Sequence, residues 1–403
     1  MAGMAANVNL SAARPRADLA DFSIALVAGL ALAFTAVYFC AVPLSGHLAG
    51  SRDFVSYWAT GQQLVHGANP YDGAAVTRIE HSAGLKAGTL IMRNPPWALP
   101  LAWPLGFLPL RVAATLWSLL LLGCLLLSVK IVRGLHGSPP SLIHWLALAF
   151  TPALISLTMG QTSLLALLGL VIFLRDHSAR PFAAGAALWL CALKPHLFLP
   201  FGAALLAWIV WTRAWKVLAG AVLAVSATSA AAFVLAPHAW LDYLNLMRSP
   251  VVENEFVPCV GDALRHWLWP HHSWTRYMPA ALACLWALGY FWKRRREWNW
   301  THHASPLMLV SLLAAPYCFI YDQGLAIPAI MDRGYSTPRR AMLIVLVCLV
   351  LALDAELPWA RVVSPLYLWA APAWCAWYWL AGRQRARSTH EAIGECRPVA
   401  ESL

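Results

Sequence analysis

The sequence predicts an all-α polytopic membrane protein built as one helical domain, and three observations carry that prediction. Of its 403 residues, 60% are hydrophobic and 12% charged, against about 25% charged in an ordinary soluble domain. Apolar runs of roughly the 17 to 25 residues that span a hydrocarbon core recur from residue 22 to residue 382. The basic residues fall in short clusters between those runs, which is how loops on one membrane face are marked. The mean hydropathy of +0.60 agrees. The formal charge of +11 is dispersed among these clusters, so it reads as a topological signal, and nucleic acid is excluded as a partner. Membrane lipids are the surroundings this composition requires.

Taken in order, residues 1–21 are a short cytoplasmic segment, because Arg14 and Arg16 precede the first apolar run. That run, FSIALVAGLALAFTAVYFCAVPL, exceeds the roughly 7 to 15 apolar residues of a signal peptide and lacks a clear cleavage site, so it reads as a retained anchor. Further clusters are Lys130/Arg133, Arg175/Arg180, Arg213/Lys216, Lys293 to Arg296, Arg333/Arg339/Arg340 and Arg383/Arg385/Arg387. With all of them on the cytoplasmic side, about twelve spans follow. They lie near 22–45, 112–132, 141–158, 161–175, 181–198, 199–213, 215–236, 273–292, 304–317, 322–333, 340–358 and 364–382. The stretch PPWALPLAWPLGFLPL, near 95–110, holds five prolines and is too short and broken for a span. Parity of the basic clusters makes it a re-entrant or interfacial segment on the outer side, tolerated where protein or water covers it.

This arrangement makes 22–382 a single transmembrane domain and 383–403 a cytoplasmic tail without expected structure. Long outer loops cover about 46–111 and 237–272. In the first of them FVSYWATGQQLVHG reads as a short amphipathic helix ended by Gly67, and NPYD as a turn. The nine cysteines contain no CxxC pair, so neither a zinc site nor a disulfide framework is expected. No phosphate-binding glycine motif is present, and nothing points to a cofactor. A divalent cation is conceivable on the outer acids, but no ligand spacing calls for one. His271 and His272 are adjacent, and two neighbouring imidazoles do not readily reach one ion.

Polar residues stand out where apolar sequence leaves no place for them: Asp53, Tyr57 and Trp58; Arg93 and Asn94; Gln161; Lys194 and His196; Tyr317, Tyr321 and Asp322. On the topology above, each falls at the outer end of a span or in an outer loop. Ionisable groups in or at a membrane are costly and default to a functional reading, so one outward-facing polar cavity is expected. Each also has a plainer reading. Asp53 could cap the helix it begins, Lys194 could snorkel from a helix end, and His196 could be an ordinary interior histidine. Gln161 could satisfy a helix junction. Tyr71 and Asp72 read as turn residues, and Glu253, Asn254, Glu255 and Asp262 as a solvated loop. Most of the 22 tryptophans fit interfacial belts.

The ordered set DFVSYWATGQQLVHGANPYD, NPPWALPLAWPLGFLP, MGQTSLLALL, GAALWLCALKPHLFLPF and AAPYCFIYDQGLAIPA resembles the motifs of glycosyltransferase family 87, from about residue 50 to 335. That family includes polyprenol-phosphate-mannose-dependent mannosyltransferases. The resemblance implies a GT-C-type helical bundle in a bacterial inner (plasma) membrane, with both termini cytoplasmic and the active site on the exterior face. It implies a polyprenyl-phosphate-linked sugar donor, a lipid or glycan acceptor, and Asp53 as catalytic base. Two features depart from the family pattern. Tyr317 stands where a His is usual, with Phe319 or Ile320 in place of an aromatic partner, and Arg93-Asn94 replaces a Tyr before the proline pair. These departures leave sugar and acceptor open.

The chemistry expected of the residues is direct inversion. One carboxylate, Asp53, deprotonates an acceptor hydroxyl. Lys194, Arg93 and His196 stabilise the departing phosphate. Tyr57, Trp58, Asn94, Gln161, Tyr317, Tyr321 and Asp322 line the sugar or acceptor pocket. A transporter or flippase of lipid-linked sugars, or a polymerase or ligase of lipid-linked glycans, is the alternative reading.

Overall fold

The computed structural model describes residues 51–84, 90–139, 142–270, 272–336, 340–356 and 363–395, with Leu26, Gly29, Leu30 and Ala33 as isolated positions before them. The N-terminal segment 1–21, the first expected span apart from those positions, His271 and residues 396–403 lie outside the described residues. Among the described residues the fold is all-helical. Among the described residues three helical stretches are long and apolar enough to cross a membrane: Leu110–Leu135, Pro195–Thr212 and Trp215–Leu235.

Helix α1 (Ser51–Val65) contains Asp53 in its first turn and ends before Gly67, whose φ of 65° takes the left-handed turn expected of it. The NPYD turn follows. The Asn69 side chain accepts from the Tyr71 amide, and Asp72 caps α2 (Gly73–Ser82) by accepting from the amides of Ala74 and Ala75. The proline-rich stretch forms short turns, Pro96–Ala98, Leu99–Ala102 and Trp103–Phe107. They pack directly on α1. A Cβ on Gly61 would sit 2.3 Å from the Ala102 carbonyl oxygen, and one on Gly106 would sit 2.2 Å from the Gly61 carbonyl oxygen. Backbone therefore meets backbone here, with no room for a side chain on either side.

The long helix α3 (Leu110–Leu135) follows, then α4 (Thr151–Met159), α5 (Ser163–Asp176) and α6 (Pro181–Ala192). Helix α7 (Leu199–Thr212) leads to α8 (Trp215–Leu235). Small residues again let helices approach: a Cβ on Gly185 would lie 1.9 Å from the Val217 carbonyl oxygen, and one on Gly220 2.0 Å from that of Phe182. These contacts clamp α6 to α8. The other face of α8 shows Val222, Leu223, Phe233 and Val234 exposed, the apolar surface a lipid-facing helix presents.

The 237–272 segment carries α9 (Ala239–Met247) and α10 (Val260–Trp267). It is followed by α11 (Met278–Arg294), α12 (Trp300–Ala314), α13 (Ile327–Ser336), α14 (Arg340–Glu356) and α15 (Ala370–Glu395). Three expectations change here. The 141–158 run is not one helix: a 3-10 turn, Ile143–Ala149, breaks at Phe150 before α4, where Pro152 takes the second helical position. The 322–333 run is likewise a 3-10 turn, Ile320–Ala326, joined to α13. Its ten residues reach about 15 Å, half a bilayer core. The tail expected to lack structure instead continues α15 through Arg387 to Glu395. No proline interrupts it between Pro372, in its first turn, and Pro398.

Candidate active site

The non-helical joints are what place the polar residues. Helix α4 ends at Gly160, which takes the left-handed φ of 75° and presents its carbonyl to the Trp117 indole at 2.7 Å. The turn delivers Gln161, Thr162 and Ser163 together at the start of α5. Helix α6 stops before Lys194, because a residue preceding proline is pushed out of the helical region. Lys194 accordingly adopts φ −136° and ψ 66°. Pro316 follows the end of α12 and frees residues 315–319, and the Asp322 carboxylate caps the next turn by accepting from the Phe319 amide at 3.0 Å. Asn94, ahead of Pro95, stitches the joints together: its side-chain amide donates to the Leu193 carbonyl at 2.9 Å and to the Thr162 hydroxyl at 3.3 Å. The Tyr71 hydroxyl donates to the Asn94 carbonyl at 2.9 Å. Burial pushes the Tyr71 phenol up, so it stays a neutral donor.

These joints enclose a cavity of about 350 Å³. Of the residues singled out from sequence, Asp53, Tyr57, Arg93, Asn94, Gln161, Lys194, His196, Tyr317 and Tyr321 all line it. Trp58 does not. Its indole donates to the Leu108 carbonyl at 3.0 Å, so it faces the proline-rich turns and helps hold α1 there. The one-residue step from Tyr57 to Trp58 turns the side chain by about 100° around the helix, which is why neighbours in sequence part company. Asp322 is also absent from the lining, and is fully buried beneath it.

Under the cavity the Lys194 ammonium donates to Asp322 Oδ1 at 2.6 Å, Gln161 Oε1 at 2.7 Å and Ser163 Oγ at 3.0 Å. Ser163 in turn donates to Asp322 Oδ1 at 2.6 Å. An ammonium has three N–H donors, and all three are used. Lys194 is thus engaged within the protein, and its charge is met by a carboxylate with no exposure. It stands 4.8 Å from the centre of the Tyr321 ring. The Tyr57 hydroxyl approaches the same Gln161 oxygen at 3.4 Å, and its ring packs on Trp117 at 5.7 Å.

On another wall Arg93 forms an ion pair with Glu255 and donates to the Tyr317 hydroxyl at 3.0 Å. Burial opposes the Arg93 charge, but the Tyr317 and Glu255 side chains outweigh it and raise its pKa above the ordinary arginine value. Tyr317 meets His196 edge-on at 5.4 Å. His196 Nε2 is buried and has no hydrogen-bond partner among the described residues. Asp53 is half-buried at the cavity wall. It is the third residue of α1 and not its cap, in a first turn where a carboxylate's charge is favoured.

Four contributors were not anticipated. Glu255 was read with Glu253 and Asn254 as solvated, yet only the latter two are exposed. Asp262 is fully buried, and its carboxylate takes bonds from Arg265 at 2.9 Å, Arg276 at 2.5 Å and the Val257 amide at 2.7 Å. Arg276 lines the cavity. It carried a signal that was legible: a lone arginine at the expected outer end of an apolar run goes against the positive-inside pattern. Ser163 gave a weaker one, as the third polar residue in a row ahead of an apolar helix.

Among the described residues no group of three or more His, Cys, Asp or Glu side chains could hold a metal ion. No curated protein and no solved structure matches the chain significantly. The sequence profile of glycosyltransferase family 87 matches residues 93–316, more than half of the 403. This is narrower than the range of motif resemblance, and Asp53, Tyr317, Tyr321 and Asp322 lie outside it.

Proposed function

The chain belongs to glycosyltransferase family 87, and on that premise we propose that it moves a hexose, mannose first among candidates, from a polyprenyl-phosphate donor to a hydroxyl acceptor at the exterior face of a bacterial inner membrane. The single observation that carries this reading is the cavity, where two carboxylates, two arginines, a lysine, a histidine and several aromatic and amide side chains face one another. Aromatic faces and amides suit a polyol, and the cations suit a phosphate. The apolar exteriors of the flanking helices suit a long lipid tail. The reading takes the chain as crossing the membrane about twelve times, as its basic clusters require.

In this mechanism Asp53 accepts the proton of the acceptor hydroxyl. The acceptor oxygen forms its bond to the anomeric carbon as the bond from that carbon to the phosphate oxygen breaks. The electron pair leaves with polyprenyl phosphate, and configuration inverts. One carboxylate suffices, because the donor already carries its leaving group, unlike the paired acids of a hydrolase. Arg93 and His196 face the cavity near the departing charge. Lys194 serves by holding Gln161 and Ser163, since its own donors are spent. Family membership argues for a transferase over a flippase.

The test is transfer from radiolabelled polyprenyl-phosphate mannose in membrane vesicles containing the chain, with Asp53→Asn at matched expression. General-base catalysis contributes about 10²- to 10⁴-fold, so the expected loss in Asp53→Asn is of that order with donor binding retained. Normal transfer by Asp53→Asn would remove it as the base. A silent wild type would reopen the donor sugar.

A further inference from the structure

The ion pairs around the cavity single out one residue. Lys194 is matched by Asp322, and Arg93 by Glu255. Asp262, by contrast, serves two guanidiniums at once, those of Arg265 and Arg276. Its other oxygen is taken by the Val257 amide. Within that cluster, one carboxylate between two arginines leaves a positive charge over. The two arginines differ in what they have left to give. Arg265 spends its remaining groups on the carbonyls of Glu253 and Glu255 and is not part of the cavity wall. Arg276 is part of that wall. Of its five N–H donors, one reaches Asp262, and Nε is buried with no partner among the described residues.

A buried donor left unsatisfied is costly and asks for an explanation. So does a guanidinium whose side chain is only 11% exposed and shares its counter-ion. An anion arriving in the cavity answers the second, by meeting the terminal guanidinium N–H groups that the protein leaves unused. Its backbone is also held still: a Cβ on Gly261 would lie 2.2 Å from the Arg276 carbonyl oxygen, so the turn before α11 rests directly on the start of α10. A guanidinium fixed in this way is a preorganised fork for two phosphate oxygens.

We propose that Arg276 is the principal binding group for the phosphate of the lipid-linked donor and of the polyprenyl phosphate that leaves. This rests on the donor reading above and reassigns the phosphate from Lys194, whose donors are consumed, to a residue in the turn before α11. Asp262 and Arg265 are then positioning residues that hold Arg276 and leave its charge uncancelled. A donor phosphodiester carries one negative charge, opposite in sign to the guanidinium that Asp262 leaves unmatched.

The experiment titrates the purified full chain in nanodiscs with a short-chain polyprenyl phosphate, and separately with the corresponding polyprenol and with inorganic phosphate. Wild type is expected to bind polyprenyl phosphate well above either control. A hydrogen bond to a charged group corresponds to about a ten- to hundred-fold change in affinity, and Arg276→Gln is expected to lose that much while polyprenol binding is unchanged. Arg276→Lys keeps the charge but not the fork and is expected to fall between the two. If wild type does not distinguish polyprenyl phosphate from polyprenol, the donor reading itself fails. If wild type distinguishes them and Arg276→Gln binds as wild type does, the assignment of Arg276 alone fails. Should Arg276→Gln not fold, Arg276→Lys decides, and wild-type affinity in that variant overturns the proposal.

Discussion

Two ion pairs bound the same cavity and differ in almost everything else. Lys194–Asp322 lies beneath it, with side chains 10% and 0% exposed, and every lysine donor is matched by a named acceptor. Arg93–Glu255 lies where the 46–111 and 237–272 segments meet, with side chains 21% and 29% exposed. The first is a knot that ties three joints of the bundle: the turn after α6, the start of α5 and the turn before α13. The second ties two loops, which also touch through Tyr71 against Tyr243 and Trp97 against Trp240. The contrast teaches that a buried pair sets shape, because breaking it strands a charge, whereas a partly wet pair sets affinity, because water can take either partner's place.

The largest effect that would test this contrast comes from cutting the knot on one side. Asp322→Ala leaves the lysine buried and unpaired, an uncompensated charge that costs about 3–5 kcal/mol. It should lower the thermal unfolding midpoint in detergent sharply or prevent accumulation of folded protein. Replacing both partners, Lys194→Met with Asp322→Leu, should recover much of that stability without recovering transfer. A double variant as unstable as the single one would show that shape is not what the pair provides. A smaller effect is expected from Ser163→Ala, which removes one acceptor of the Lys194 ammonium and one donor to Asp322. Leaving one buried polar group short costs about 1–3 kcal/mol, read as a shift in the same midpoint. The smallest effect on stability belongs to Glu255→Gln, at most about 1 kcal/mol for a partly exposed pair. Its signature should appear in kinetics: a changed KM for the donor with the unfolding midpoint nearly constant, and a difference from wild type that shrinks as salt rises. A midpoint drop as large as that of Asp322→Ala would erase the distinction between the two pairs.

The same contrast separates what was legible in the sequence from what was not. Lys194 and Asp322 stood out because they interrupt apolar runs, and a charge there has few innocent explanations. Asp53, Arg93 and Asn94 stood out beside tryptophans and prolines for a similar reason. Arg276 carries a legible mark, an arginine at the expected outer end of the 273–292 run, whereas Glu255 blends in because a polar loop offers every charge a solvated alternative. Only the folding back of that loop buries Asp262, and no local pattern announces it. The helical architecture was readable from the apolar runs, and so were the turn at Gly67 and the broken 95–110 stretch. The joints at Phe150 and at Ile320–Ala326 were not, since an apolar 3-10 turn and an apolar helix have the same composition. Trp58 was misplaced because adjacency in sequence was read as adjacency in space.

The contact between Gly61 and Gly106 has a consequence for the chemistry at the other end of α1. Asp53 is eight positions from Gly61 along one rigid rod, about 12 Å of rise. No side chain cushions the point where that rod rests on the proline-rich turns. Its seat is therefore a fulcrum without play, and a single methyl group inserted there would tilt the far arm. Two absent side chains calibrate where the carboxylate stands, as a shim of zero thickness sets the reach of a lever.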